Sequence, residues 1–287
     1  MKRILLLVAL VVVAGIAGIV RSHSRSGDFD RLVSHNASDQ VREEIRQSYP
    51  LAPGASVELT NINGAIRIET SDTSTAEVYV ERFGSSSEAL GRRKVIIEAD
   101  SNNLRIRGEK GDVGFFERLF GSSPSEKLTL KLPRQIALHT KGVNGALIVA
   151  ELDGPVEVHG VNGRVQIAAA NGAAEFKGIN GNITVGLKRL NSDGVTLGGI
   201  NGNIELQLTP GINASFDAHG INGNVMTDLS EVSIDRSRHG TYSGQIGNGG
   251  SSIITAKGIN GNIRLTRSTL ASDSSETVVK EKESKTN

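Results

Sequence analysis

The chain contains no cysteine and no tryptophan, and only 3% of its 287 residues are aromatic. Without cysteine there are no disulfide staples, no thiolate nucleophile and no cysteine-ligated zinc. With so few aromatics there is almost no flat platform on which a sugar ring would stack. Charge of one sign is also lacking. The formal net charge is +1, so no electrostatic footprint for nucleic acid is present. No Ser-His-Asp constellation, phosphate loop or dinucleotide fingerprint stands out. These absences point to a protein that is not an enzyme and that has no cofactor, no metal and no nucleic-acid partner.

Glycine, at 34 residues, is abundant, and much of it lies in one repeated segment, Gly-Ile-Asn-Gly-Asn. Full or near copies begin at Gly142, Gly160, Gly178, Gly199, Gly220 and Gly258, with a variant at Asn61. The starts from Gly142 to Gly220 are 18, 18, 21 and 21 residues apart, and the last gap is 38. A period near 20 is the signature of a solenoid, in which each coil buries its apolar face against its neighbours. On that reading the last gap holds about two further periods.

Aligned on the first glycine, the copies form columns. One residue on lie Val143, Val161, Ile179, Ile200, Ile221 and Ile259; five on lie Leu147, Val165, Ile183, Ile204, Val225 and Ile263. Apolar and polar residues alternate on both sides of the Asn-Gly corner, the period of a half-buried strand. In the 18-residue repeats, glycines at 145, 154, 163, 172 and 181 mark a corner every nine residues, so each coil has two strands and two corners. Asn-Gly also favours hairpins, and an antiparallel meander is the competing topology. Corners that match a full coil away, and extra residues confined to the second corner (188–193), favour stacking. The expected fold is all-β: a parallel β-solenoid of about 18–21 residues per coil, preceded by an N-terminal apolar helix.

Asn63, Asn144, Asn162, Asn180, Asn201, Asn222 and Asn260 occupy one corner column. Asparagine stacked in this way forms a side-chain amide ladder, and it tolerates turn backbone. This column is therefore expected to be a structural staple. A calcium site would need carboxylates in every turn, which are missing. Before the corner glycine lies a mostly basic row, Lys141, His159, Lys177, His219 and Lys257. Two residues earlier come His139, Glu157, Glu175 and Asp217. By alternation both rows face solvent, as exposed ion pairs worth about 0–1 kcal/mol each.

The ends differ in character. Lys2-Arg3 precede an unbroken apolar run from Ile4 to Val20, about 25 Å long as a helix. Residues 1–21 are thus expected to be a retained single-pass membrane anchor or a cleaved export signal, followed by a polar tether over 22–48. The solenoid is expected over 49–267, with an insertion at 72–134 that reads largely as further strands. The polar tail, 268–287, is expected to be disordered. Inside the insertion, Phe115, Phe116, Leu119 and Phe120 form an apolar cluster flanked by glycines, read as a cap on an open end or as a contact loop for a partner or lipid.

The segment Val57-Glu58-Leu59-Thr60-Asn61-Ile62-Asn63-Gly64, the repeated Gly-Ile-Asn-Gly-Asn-Ile, and the stretch from Gly244 to Gly250 continuing into Gly258–Leu265 resemble the bacterial putative-adhesin domain, related to the head GIN domain of putative auto-transporter adhesins. The resemblance covers about Tyr49 to Leu265. It implies an exported β-helical domain with no established enzymatic role. The expected function is that of an adhesin or cell-envelope scaffold outside the cytoplasmic membrane, anchored or secreted, with an unknown protein or surface ligand as partner. The alternatives are a carbohydrate-active β-helix protein and a membrane-anchored envelope-sensing module.

Overall fold

The computed structural model describes residues 41–111 and 123–268. The apolar N-terminal run, the aromatic cluster at 115–120 and the polar tail beyond Ser268 lie outside the described residues.

In chain order the strands are β1 (Val41–Pro50), β2 (Ser56–Thr60), β3 (Gly64–Ser71), β4 (Thr75–Gly84), β5 (Arg93–Ala99), β6 (Asn103–Lys110), β7 (Ser125–Pro133), β8 (Ala137–Val143), β9 (Leu147–Leu152), β10 (Val156–Val161) and β11 (Val165–Asn171). There follow β12 (Ala174–Lys177), β13 (Ile183–Arg189), β14 (Val195–Asn201), β15 (Ile204–Leu208), β16 (Ala214–Asn222), β17 (Val225–Thr227), β18 (Val232–Arg238), β19 (Thr241–Ile246), β20 (Ile253–Asn260) and β21 (Ile263–Arg267). One short helix, α1 (Ser87–Gly91), starts at Ser86, whose side chain accepts from the Ala89 N–H in the usual capping manner.

The strands form two sheets. Each repeat contributes one strand to each sheet, and equivalent residues of successive coils pair in parallel register. Val156 lies beside Leu138 on one side and Ala174 on the other. Across the corner, Val165 lies beside Leu147 and Ile183. This pairing removes the hairpin alternative for the repeats. The sheets are nonetheless mixed rather than wholly parallel, which corrects the expectation of a purely parallel assembly. β4 and β1 add antiparallel to β7, β5 to β6, and β19 and β18 to β16.

The order of the coils also departs from sequence order. Along the stack they run β6/β7, β2/β3, β8/β9, β10/β11, β12/β13, β14/β15, β20/β21, β16/β17. The stretch at 72–134 is therefore not simply an insertion, because β6/β7 is a coil stacked outside β2/β3. The 38-residue gap likewise does not add coils after Gly220. The Gly258 coil slots between the Gly199 and Gly220 coils, with Ile259 paired to both Ile200 and Ile221. At the C-terminal end the chain builds the outer coil β16/β17, adds antiparallel β18 and β19 beside it and returns as β20/β21 to fill the place beneath; at the N-terminal end antiparallel β4 and β5 come first, and β6/β7 is then laid between them and β2/β3. A bare parallel edge would expose a row of unpaired amides, and the antiparallel strands cover most of it. The exposed edge strand β17 is only three residues long. The stretch expected as tether ends in β1, paired along its full length with β4.

Inward side chains of both sheets merge into one core. Volume is balanced within coils: Phe176, fully buried, sits two residues from Ala174, and Phe216 lies between Ala214 and Ala218 along the same face. Interiors packed to crystal-like density respond strongly to lost volume. Phe176→Ala should therefore lower unfolding free energy by about 3–5 kcal/mol, read as a fall in the denaturant midpoint, whereas the neighbouring exposed Lys177→Ala should change it little.

Candidate functional site: the asparagine corner and its flanking rows

The corner is built from two glycines with different duties. The first, as at Gly160, has φ +62°, a left-handed backbone that costs glycine nothing. In the earliest copy that position is Asn61 (φ 53°), the one non-glycine residue with positive φ among those described, and asparagine is the side chain that best tolerates it. The second glycine answers a steric demand. A Cβ on Gly163 would lie 2.3 Å from the carbonyl oxygen of Gly145 in the next coil.

This close stacking aligns the corner asparagines. Asn144 Nδ2 donates to Asn63 Oδ1 at 2.9 Å, Asn162 to Asn144 at 3.1 Å, Asn180 to Asn162 at 3.2 Å and Asn201 to Asn180 at 3.2 Å. The ladder then follows the spatial order: Asn260 donates to Asn201 and Asn222 to Asn260, both at 3.0 Å. At the other end Asn63 Nδ2 donates to the Pro124 carbonyl at 2.8 Å. A second column, two residues on, works differently. Asn182, Asn203 and Asn262 each accept, through Oδ1, the backbone N–H of the equivalent asparagine one coil further, at 2.9–3.0 Å.

The end of the ladder near Asn63 holds a buried ion pair that no repeat column announces. Glu126, only 2% exposed, receives Arg93 Nε at 2.8 Å and the Asn63 N–H at 3.1 Å. Arg93 also donates to the Asn61 carbonyl. Arg82, itself buried, binds Glu43 and the carbonyls of Leu90 and Arg93. Burial pushes the Glu126 carboxyl above its ordinary range, with Arg93 only partly offsetting it. An open groove of about 800 Å³ lies beside this pair, lined by Asn61, Asn63, Arg93, Lys110 and Asn144 among others.

The outward rows of the other strands are where the sequence places them, and they pair both between neighbouring strands and within one strand. His139 Nδ1 lies 3.0 Å from Glu157, His159 Nε2 2.7 Å from Glu175, and Lys177 Nζ 2.8 Å from Glu175. His219 lies 3.0 Å from Asp217 on its own strand. The Lys177 hydrogen bond holds Glu175 below the usual carboxylate range, against slight burial. At the second corner Glu151 gathers Lys188, Asn171 and Arg134. Its burial is outweighed by those partners, so its carboxyl also sits low. Among the described residues no group of three or more His, Cys, Asp or Glu side chains is placed to hold a metal ion, and no helix is long and apolar enough to cross a membrane.

Two outcomes follow from the corner. Removing one rung, by Asn180→Ala or Asn201→Ala, breaks exposed amide bonds whose partners water can then solvate, and should cost about 0.5–1.5 kcal/mol, measured by thermal or denaturant melts. For Glu126 the sign is opposite to that of an ordinary paired carboxylate. Its folded pKa is raised, so between the unfolded and folded values the native state holds more protons, and stability declines as pH rises through that window. The stability of the wild type relative to Glu126→Gln should accordingly be greatest below about pH 4 and shrink as pH increases, in paired denaturation series.

No protein-family model matches the chain, and no curated protein matches it. Among solved structures, a putative cell adhesion protein from Clostridium sporogenes is 12% identical, with 78% of this chain and 99% of that chain covered and a TM-score of 0.35. A putative adhesin from Bacteroides fragilis is 13% identical over 77% and 96% of the two chains, with a TM-score of 0.29. A putative adhesin from Parabacteroides merdae is 10% identical over 78% and 96%, with a TM-score of 0.27.

Proposed function

We propose that the chain is a non-enzymatic, exported module, a two-sheet β-solenoid whose repeats stack in parallel and whose ends carry antiparallel strands, and that it serves as an adhesin or cell-envelope scaffold. The observation that carries this reading is the use made of the most repeated polar residue. The asparagines of the corner column bond to one another from coil to coil, so the repeat is committed to extending a stack. A stack that grows by adding coils yields long, regular outer faces, which suit contact with an extended surface better than enclosure of a small substrate. The partner on this reading is a protein or surface ligand, with no role for nucleic acid.

Export rests on the sequence. The run Ile4–Val20, preceded by Lys2-Arg3, is long for a signal-peptide core and slightly short for a bilayer span, and we assign it to a retained anchor. A fusion of residues 1–30 to a reporter active only outside the cytoplasm should give signal. The mature protein should keep its N-terminus by mass spectrometry. A mature chain starting after Ala17 would show cleavage and secretion instead, and a silent reporter would remove export altogether.

A further inference from the structure

We propose that the strip between the basic row and the asparagine ladder is a binding site for a linear anionic polysaccharide. The inference rests on the adhesin reading only for where the strip is displayed.

Parallel register brings Lys141, His159 and Lys177 to adjacent strands, and Lys257 and His219 to another adjacent pair. Gly198 occupies the strand between the two groups. The stem of Lys177 runs over it, because a Cβ there would lie 3.4 Å from Lys177 Cγ. Within each group, basic side chains therefore sit at strand spacing, about 4.8 Å. The acidic partners Glu157, Glu175 and Asp217 lie on the far side of this row, two residues earlier in their strands. Among the described residues, Lys141 and Lys257 have no ion pair or side-chain hydrogen bond, so two ammonium groups remain unmatched.

On the near side the chain passes directly to the first corner glycine. At Gly160 and Gly178 the nearest atoms to an added Cβ are the backbone of the adjacent glycine, 3.5 Å or more away. The floor of the strip is thus bare backbone, open to solvent. Its far wall is the ladder. Each ladder amide carries two N–H donors and uses one along the stack, which leaves one facing out. Ammonium groups on one wall and amide donors on the other, with no side chain between, match a chain that carries an anionic oxygen at regular intervals. Aromatic stacking, the common grip on neutral sugars, is missing here, so charge and hydrogen bonds must supply the recognition. Summed over several coils, weak contacts of this kind give useful avidity.

The test is binding of the full chain to immobilised polygalacturonate at low salt, with neutral dextran and single-stranded DNA as comparison probes. Polygalacturonate should be retained and released by added salt, and dextran should not bind. Lys141→Glu combined with Lys257→Glu should weaken binding by about tenfold or more. The Gln pair at the same positions should fall between, which guards against a fold defect in the reversed pair. A matched charge reversal on the opposite sheet, Lys131→Glu with Arg264→Glu, should leave binding unchanged. Absence of polygalacturonate binding, equal loss in both charge-reversed variants, equal retention of dextran, or tighter binding of DNA would each overturn the proposal. Export is measured separately by the reporter fusion, so failure of one reading is not mistaken for failure of the other.

Discussion

The structure depends on the close approach of successive corner backbones. Where Gly163 stacks on Gly145 and Gly181 on Gly163, a side chain would have to occupy the space of a carbonyl oxygen. Glycine is therefore required by the neighbouring coil rather than by the turn alone. Once the corners stack at that distance, much else follows. The asparagine amides come within hydrogen-bonding reach, the strands on either side fall into parallel register, and the apolar columns meet in one core. The ladder is a consequence of the stacking that also selects for it. Each amide bond is worth about 0.5–1.5 kcal/mol net, but a rung shifted by one residue would lose it and turn the buried columns outward.

A repeat of this kind fixes how coils stack but leaves open which coil stacks on which. The Gly199, Gly220 and Gly258 copies are nearly interchangeable at the corner, and any of them would satisfy its neighbour. The order is decided elsewhere. Ser252 Oγ donates to the Asn191 carbonyl at 2.7 Å, and the Ser268 N–H to the Leu208 carbonyl at 2.9 Å. Gly194 allows the Ile253 carbonyl to approach where a Cβ would lie 2.0 Å away. These contacts at the second corner seat the last coil against the Gly199 coil. Tyr242, from the antiparallel cover, donates to the Gly223 carbonyl at 3.2 Å and ties the outer coil to its cap.

This explains what was legible in the sequence and what was not. The apolar columns, the corner asparagines and the outward rows follow from period-two alternation around a fixed landmark, and alternation is a local property. Even the strands of the 72–134 region show it. The spatial order of the coils is non-local. It depends on single contacts such as those of Ser252 and Gly194, in loops whose residues do not repeat. The Arg93–Glu126 pair was invisible for the same reason. It replaces the corner motif in the β6/β7 coil, where no Gly-Ile-Asn-Gly-Asn exists, and its partners come from Asn61 and Asn63 in a different coil. The start of β1 was hidden by composition, because Val41-Arg42-Glu43-Glu44 reads as polar until β4 supplies a partner for its backbone.

The division of labour inside a coil bears on function. Residues that face inward or sit at the first corner are fixed by their counterparts one coil away, so they cannot vary independently. The outward rows carry no such constraint. Glu157, Thr196 and Asp217 occupy equivalent positions, as do Lys177, Gly198 and His219. Yet the second of these rows keeps its basic residues in five coils, while nothing in the stacking demands it: the exposed pairs they form are worth little, and Lys141 and Lys257 form none. On the proposal made above, a long, regular partner would account for basic residues that recur without a structural role, since it would meet successive coils in the same way.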